Sequence, residues 1–153
     1  MVRCSYTQSL DLPADRVWAT FSRFGEISWL PGIERVEVTG VGVGMIRSLY
    51  ITGLDAPIEE TLESLDDAYR HFSYRVKKNP FVPYNDYHAT VTVAAAGPGA
   101  SVTKVTIEST FALDPMAADA AASEDDRDRA AREALEGSYK MMVDALALAL
   151  RAE

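Results

Sequence analysis

The stretch Met45-Ile46-Arg47-Ser48-Leu49-Tyr50-Ile51-Thr52-Gly53-Leu54-Asp55-Ala56-Pro57-Ile58-Glu59-Glu60-Thr61-Leu62-Glu63-Ser64 decides how this chain is built. On both sides of the connection from Thr52 to Pro57 the residue character alternates with a period of two, the signature of strands with one buried face. Met45, Arg47, Leu49 and Ile51 share one parity, and Ile58, Glu60, Leu62 and Ser64 share the matching one. Each strand therefore aims one charge into its apolar face. A hairpin with Ile51 near Ile58 sets Leu49 opposite Glu60 and Arg47 opposite Leu62. Arg47 and Glu60 are then diagonal neighbours about 7–8 Å apart at the backbone, a gap that a guanidinium bridges. Charged side chains are almost never fully buried unless paired, so the two form either a structural salt bridge or the polar end of a cavity.

The composition of the rest sets bounds. With 153 residues, 48% of them hydrophobic and 25% charged, the chain has the size and balance of one soluble domain spanning 1–153. A net charge of −8 disfavours nucleic acid, whose phosphates call for a basic face, and anionic membranes alike. A small, uncharged or weakly polar partner fits better. Cys4 is the single cysteine and there are two histidines, so no internal disulfide forms and no metal site or cofactor is expected. No basic start followed by an apolar run opens the chain, and no run reaches membrane-spanning length, so a cytoplasmic protein without membrane insertion is expected. The acidic surface neither requires nor forbids a homodimer.

Outward from the hairpin, residues 2–10 read as a first strand, and Asp11-Leu12-Pro13-Ala14-Asp15 as a helix start. Val17, Trp18, Phe21 and Phe24 recur at helical steps until Gly25, and Ile27 to Leu30 read as a second short helical piece ended by Pro31-Gly32. From Ile33 the period becomes two, with strands expected near 33–39, 43–52, 57–66, 68–78, 86–96 and 101–111. Their connections are too short for crossover helices, so the sheet is antiparallel. Met116 to Ala122 read as a loop. Ser123, with Asp126 three residues on, then caps a helix of about 28 residues and roughly 42 Å. Its apolar stripe is Leu135, Tyr139, Met142, Leu146 and Ala149 or Leu150. Gly137, inside that helix, costs about 1 kcal/mol relative to alanine. It opens space, allows a close approach, or is merely tolerated.

The order of elements resembles the helix-grip fold of the START and birch-pollen-allergen (SRPBCC) superfamily, an α+β architecture. It implies a seven-stranded antiparallel sheet wrapped around a long C-terminal helix, with two short helices after strand 1. The segments Val17-Trp18, Phe21-Ser22-Arg23-Phe24-Gly25 and Trp29-Leu30-Pro31-Gly32-Ile33 resemble the polyketide cyclase/dehydrase-like branch and the plant abscisic acid receptors. Gly44 to Leu49, Glu60-Thr61-Leu62, Phe72-Ser73-Tyr74 and Asp86 to Thr92 extend the likeness in order and spacing. In the receptors, the connection matching Thr52 to Ala56 is a gate over the ligand. Gly53-Leu54 and Ala56 match it, and Asp55 replaces proline. The opposite latch corresponds to Lys78 to Tyr84, where the receptors' His-Arg-Leu signature is missing. Glu34 stands where the receptors carry the lysine that meets the hormone carboxylate, so a hormone receptor is not expected.

The resemblance implies a small hydrophobic ligand, aromatic or polyketide-like, held between sheet and final helix. Arg47 and Glu60 are expected to orient it, with Tyr74, Tyr87, Leu54, Phe81, Tyr139, Met142 and Leu146 as further ligand contacts. Tyr87 shares its parity with Ala89, Val91 and Val93, and Tyr74 with Phe72 and Val76, so both phenols face inward, where their hydroxyls need partners. The rival is an aromatase/cyclase- or dehydratase-like enzyme, with Glu60 as acid/base and Tyr87 or Arg47 stabilising developing charge. A third class is a ligand-gated interaction module. His71 and His88 take the opposite parity and are expected to face outward.

Overall fold

Alternation becomes one antiparallel sheet in the computed structural model, which describes residues 1–79, 84–114 and 122–153. The elements run β1 (Val2–Leu10), α1 (Ala14–Phe21), β2 (Ile33–Thr39), β3 (Ile46–Ile51), β4 (Ile58–Asp66), β5 (His71–Lys78), β6 (Tyr84–Ala96), β7 (Val102–Leu113) and α2 (Glu124–Arg151). The seven strands lie in the order β1-β7-β6-β5-β4-β3-β2, so the first strand closes onto the last and β2 forms the far edge. One face carries Leu62, Phe72, Tyr74, Val76, Tyr87, Val91, Val105 and Ile107, all buried, and packs with α1 and α2 into one core. His71 and His88 are on the other face, bonded to Thr92 and Glu63. Among the described residues, no helix is long and apolar enough to cross a membrane.

Helix α1 starts on the carbonyl of Pro13, which accepts from the amides of Arg16 and Val17, and it buries Ala14, Val17, Trp18 and Phe21. Trp18 Nε1 donates to Asp67 Oδ1 at 2.9 Å and Arg70 pairs with Asp15, which fixes the helix to the β4–β5 turn. The second short helix is absent. Residues 22–32 instead make successive turns, with Glu26 N donating to Arg23 O and Leu30 N to Ile27 O. Pro31 disfavours helical backbone at Leu30, and the four residues from Ile27 are too few to outweigh the cost of a helix nucleus. Gly25 is needed for another reason: a Cβ there would lie 2.8 Å from Val38 Cγ2, so this turn can lie against β2 only with a bare backbone.

The β3–β4 register also differs from expectation. Arg47 pairs directly with Glu60, and Leu49 with Ile58, two residues away from the expected pairing. Ile51 has no partner on β4 in this register; on the other edge of β3 it pairs with Ile33 of β2, and Thr52 N donates to Gly32 O. The slip keeps every side chain on its expected face.

Helix α2 is capped as the sequence predicts, Ser123 Oγ accepting from Asp126 N at 3.1 Å. Its buried face is Ala131, Leu135, Tyr139, Val143, Leu146, Ala147 and Leu150; Met142 is half-buried at its margin. Gly137 is exposed, and a Cβ placed there meets nothing within 4 Å. It neither opens space nor allows a close approach. Gly137→Ala is therefore expected to stabilise the protein by about 1 kcal/mol, the difference in helix propensity. Urea unfolding should show a higher midpoint at unchanged slope.

Candidate functional site

Strand alternation on β4, β5 and β6 turns Glu60, Tyr74, Val76 and Tyr87 toward α2, which answers with Leu135, Tyr139 and Met142. Between them is a cleft of about 270 Å³. Ser138 and Met141, both exposed, stand on its helix side, so it opens to solvent there. Ile58, Asn79 and Tyr84, which border the two expected loops, also line it.

Tyr84 reaches the cleft through an irregularity in β6. By strict alternation it would face away from Tyr87, but the register shifts between Asn85 and His88, and Asp86 has a φ of 48°. That extra residue rotates Tyr84 onto the inner face, where its ring lies 4.7 Å from that of Phe111. The signal was in the sequence as Asn85-Asp86, a pair that tolerates left-handed backbone.

The polar groups form two connected sets. In the first, Arg47 Nε donates to Glu60 Oε1 at 2.7 Å and Nη1 to Phe24 O at 2.8 Å, with Cζ 3.9 Å from the centroid of the Phe24 ring. Arg47 and Glu60 are 8% and 9% exposed, yet only Glu60 lines the cleft. In the second, Tyr139 donates to Ser109 Oγ at 2.7 Å, and Tyr87 is hydrogen-bonded to Tyr139. The Tyr74 ring lies beside that of Tyr87, with centroids 6.1 Å apart. A phenol has one proton. Because Tyr139 gives its proton to Ser109, Tyr87 must donate to Tyr139. Both protons thus point along the chain toward β7.

Burial makes these phenols hard to ionise. Tyr139 is pushed up to about 12, mainly by desolvation and partly offset by its bonds to Ser109 and Tyr87. Tyr87 is raised well above the ordinary value by burial, then by Tyr74 and Tyr139. Tyr74 is raised by burial first and by the Glu60 charge next, with Arg47 opposing.

Of the expected contacts, the cleft brings together Glu60, Tyr74, Tyr87, Tyr139 and Met142. Arg47 sits behind Glu60 and does not line it. Leu146 is fully enclosed in the core, because the helix turns it toward the sheet one turn beyond Met142. Leu54 is on an exposed turn, 38% accessible, and does not line the cleft. Phe81 lies outside the described residues. Leu30, Ile58, Val76, Asn79, Tyr84 and Leu135 line the cleft without having been singled out as contacts. Among the described residues, no three His, Cys, Asp or Glu side chains are placed to hold a metal ion.

The chain matches the family described as polyketide cyclase / dehydrase and lipid transport over residues 1–151. Among solved structures it is similar to XoxI from Bacillus cereus, at 24% identity and a TM-score of 0.78 over 98% of this chain and 96% of that one. It is also similar to norcoclaurine synthase from Thalictrum flavum, at 17% identity and a TM-score of 0.73 over 99% and 87% of the two chains. Ara h 8.0201 superposes with a TM-score of 0.73 at 13% identity, over 99% and 98%. At these identities the likeness is one of fold. No curated protein matches the chain.

Two outcomes follow from this geometry. Arg47→Ala leaves the Glu60 carboxylate buried beside an empty site and is expected to cost about 3–5 kcal/mol in urea unfolding, while Arg47→Met with Glu60→Leu recovers most of the loss. For the phenols, the unfolded chain ionises near pH 10 and the folded Tyr139 only near 12. Stability is thus fully present below about pH 10 and falls as pH rises through that window, by about 1.4 kcal/mol per pH unit for each such tyrosine. Phenolate absorbance followed against pH should show Tyr74, Tyr87 and Tyr139 ionising last, together with unfolding.

Proposed function

The chain belongs to the polyketide cyclase / dehydrase and lipid transport family and has the helix-grip fold of the birch-pollen-allergen superfamily; on that premise, we propose that it binds a small hydrophobic molecule in the cleft between β4–β6 and α2. The observation that carries this reading is the cleft itself. Its walls are Ile58, Val76, Leu135, Met142 and the rings of Tyr74, Tyr84 and Tyr87, and its polar lining is Glu60, Asn79, Ser138 and the phenol hydroxyls. A volume of about 270 Å³ falls just below the span of small-molecule pockets, ~300–1,000 Å³. The ligand is therefore compact, one or two fused aromatic rings rather than an acyl chain. The surrounding phenol faces suit an aromatic guest, and half-buried Met142 adapts to its outline.

A second reading, acid/base catalysis in the same cleft, is favoured by one observation: Glu60 is a carboxylate at the cleft wall. Against it, Tyr87 is hydrogen-bonded to Tyr139 and resists ionisation, so it is a poor proton shuttle. Arg47 stands outside the cleft. Binding is the better-supported role.

Met142→Trp should fill the cleft and weaken binding of naphthalene, read by quenching of intrinsic fluorescence, by at least about tenfold. Circular dichroism should stay unchanged. Undiminished binding in that variant would place the ligand elsewhere. If a turnover assay on small aromatic ketones finds activity that Glu60→Gln removes while probe binding survives, the catalytic reading replaces this one.

A further inference from the structure

We infer that β2 is the docking surface for a second copy of this chain: two β2 strands pair antiparallel about a two-fold axis at Val36 and join two sheets into one. The inference goes beyond the binding role proposed above and does not depend on it. It begins at the edge of the sheet, where β2 has β3 on one side and no strand on the other. Met45 O accepts from Leu62 N of β4 and Thr52 N donates to Gly32 O. Odd-numbered residues of β3 therefore turn their backbone groups to β4 and even-numbered ones to β2. Opposite the even-numbered ones stand Arg35, Glu37 and Thr39, which bond to β3. Val36 and Val38 thus aim their N–H and C=O at the open edge, where among the described residues no backbone group bonds to them.

A free edge is a template for pairing, and proteins blunt it with lysine, proline or a bulge. β2 contains neither residue, and its irregularity is confined to its start, between Ile33 and Arg35. At its other end Val38, Val41 and Val43 are exposed.

The charges on the outer face select the partner and the register. An axis at Arg35 or Glu37 would set like charges against each other, which is destabilising. An axis at Val38 would set Glu37 against Thr39 and carry Arg35 past the regular strand. With the axis at Val36, Arg35 of each copy faces Glu37 of the other, and these directly opposed side chains are about 4.5–5.5 Å apart at Cβ. Within one strand Arg35 and Glu37 already meet at 3.3 Å, so the second copy completes a ring of four alternating charges. Tyr50 holds both in place: the Arg35 Cζ lies 3.9 Å from its ring centroid, and its hydroxyl donates to Glu37 Oε2 at 3.0 Å. One strand pair is smaller than a standard interface, and a net charge of −8 opposes self-association, so a dimer is expected only above about 10 μM.

Sedimentation equilibrium of the intact chain from about 5 μM to about 1 mM should show the mass rising from 16.7 kDa toward twice that value. Arg35→Glu opposes carboxylates and Glu37→Arg opposes guanidiniums, so each variant alone should associate at least about tenfold more weakly. An equimolar mixture of the two variants restores opposite charges at both pairs and should associate as the unchanged chain does. Both side chains are exposed, so circular dichroism should not change. Amide exchange at Val36 and Val38 should slow as concentration rises. The inference is wrong if the chain stays monomeric throughout, if either single variant dimerises as well as the unchanged chain, if the mixture fails to recover, or if those two amides exchange at a rate independent of concentration.

Discussion

A guanidinium and a carboxylate cannot be taken out of water separately, and the contact between Arg47 and Glu60 is where this fold meets that constraint. The two residues pair directly across β3 and β4, which lets the buried charges meet at 2.7 Å. The same guanidinium reaches back to Phe24 O and lies under the Phe24 ring, tying the turns after α1 to the sheet. Phe24 in turn contacts Phe72 and Tyr74, and Phe72 contacts Trp18 and Phe21. One ion pair thus joins β3 to β4, to the turns of residues 22–32 and to one end of the aromatic core. Gly25 is the sequence cost of that arrangement, since any side chain there would strike Val38.

The pair and the phenol chain divide the core into two regimes. Around α1, Trp18, Phe21, Phe24 and Phe72 pack their rings against one another. Toward the middle of α2, Tyr139 brings a hydroxyl to the sheet, and the space is only partly filled. A buried polar network is tolerable when every member is satisfied and costly when one is not. Tyr87 and Tyr139 meet that condition inside the protein by bonding to each other and on to Ser109.

The strands and the capped helix were legible because one-sided burial prints its period on the sequence. The β3–β4 register was not, since a two-residue slip leaves parity unchanged. On α2, the stripe passed through Met142, whereas the core takes Val143 and leaves Met142 at the margin. Steps of three and four fit equally well on paper, and helical drift chooses between them only when the sheet is in place. Arg47 and Glu60 looked interchangeable as anchors for the same reason. Alternation says that both face inward, but which of them meets the cleft depends on what lies behind each, and Phe24 is far away in sequence. Tyr84 was hidden by the irregularity at Asp86, which inverts the parity that the rest of β6 obeys.

Water is the incumbent against which any guest competes in an open polar-ended cleft, and water is a good donor. Molecules hydrating Glu60 and the phenol oxygens donate into those lone pairs, and a guest that displaces them must replace the bonds or leave a carboxylate desolvated. An apolar ring gains from leaving bulk solvent but pays nothing back to the acceptors. A guest that restores those bonds recovers both terms. Shape complementarity accordingly decides which ring systems enter, while the bonds a guest makes to Glu60 and the phenols decide which of them stay.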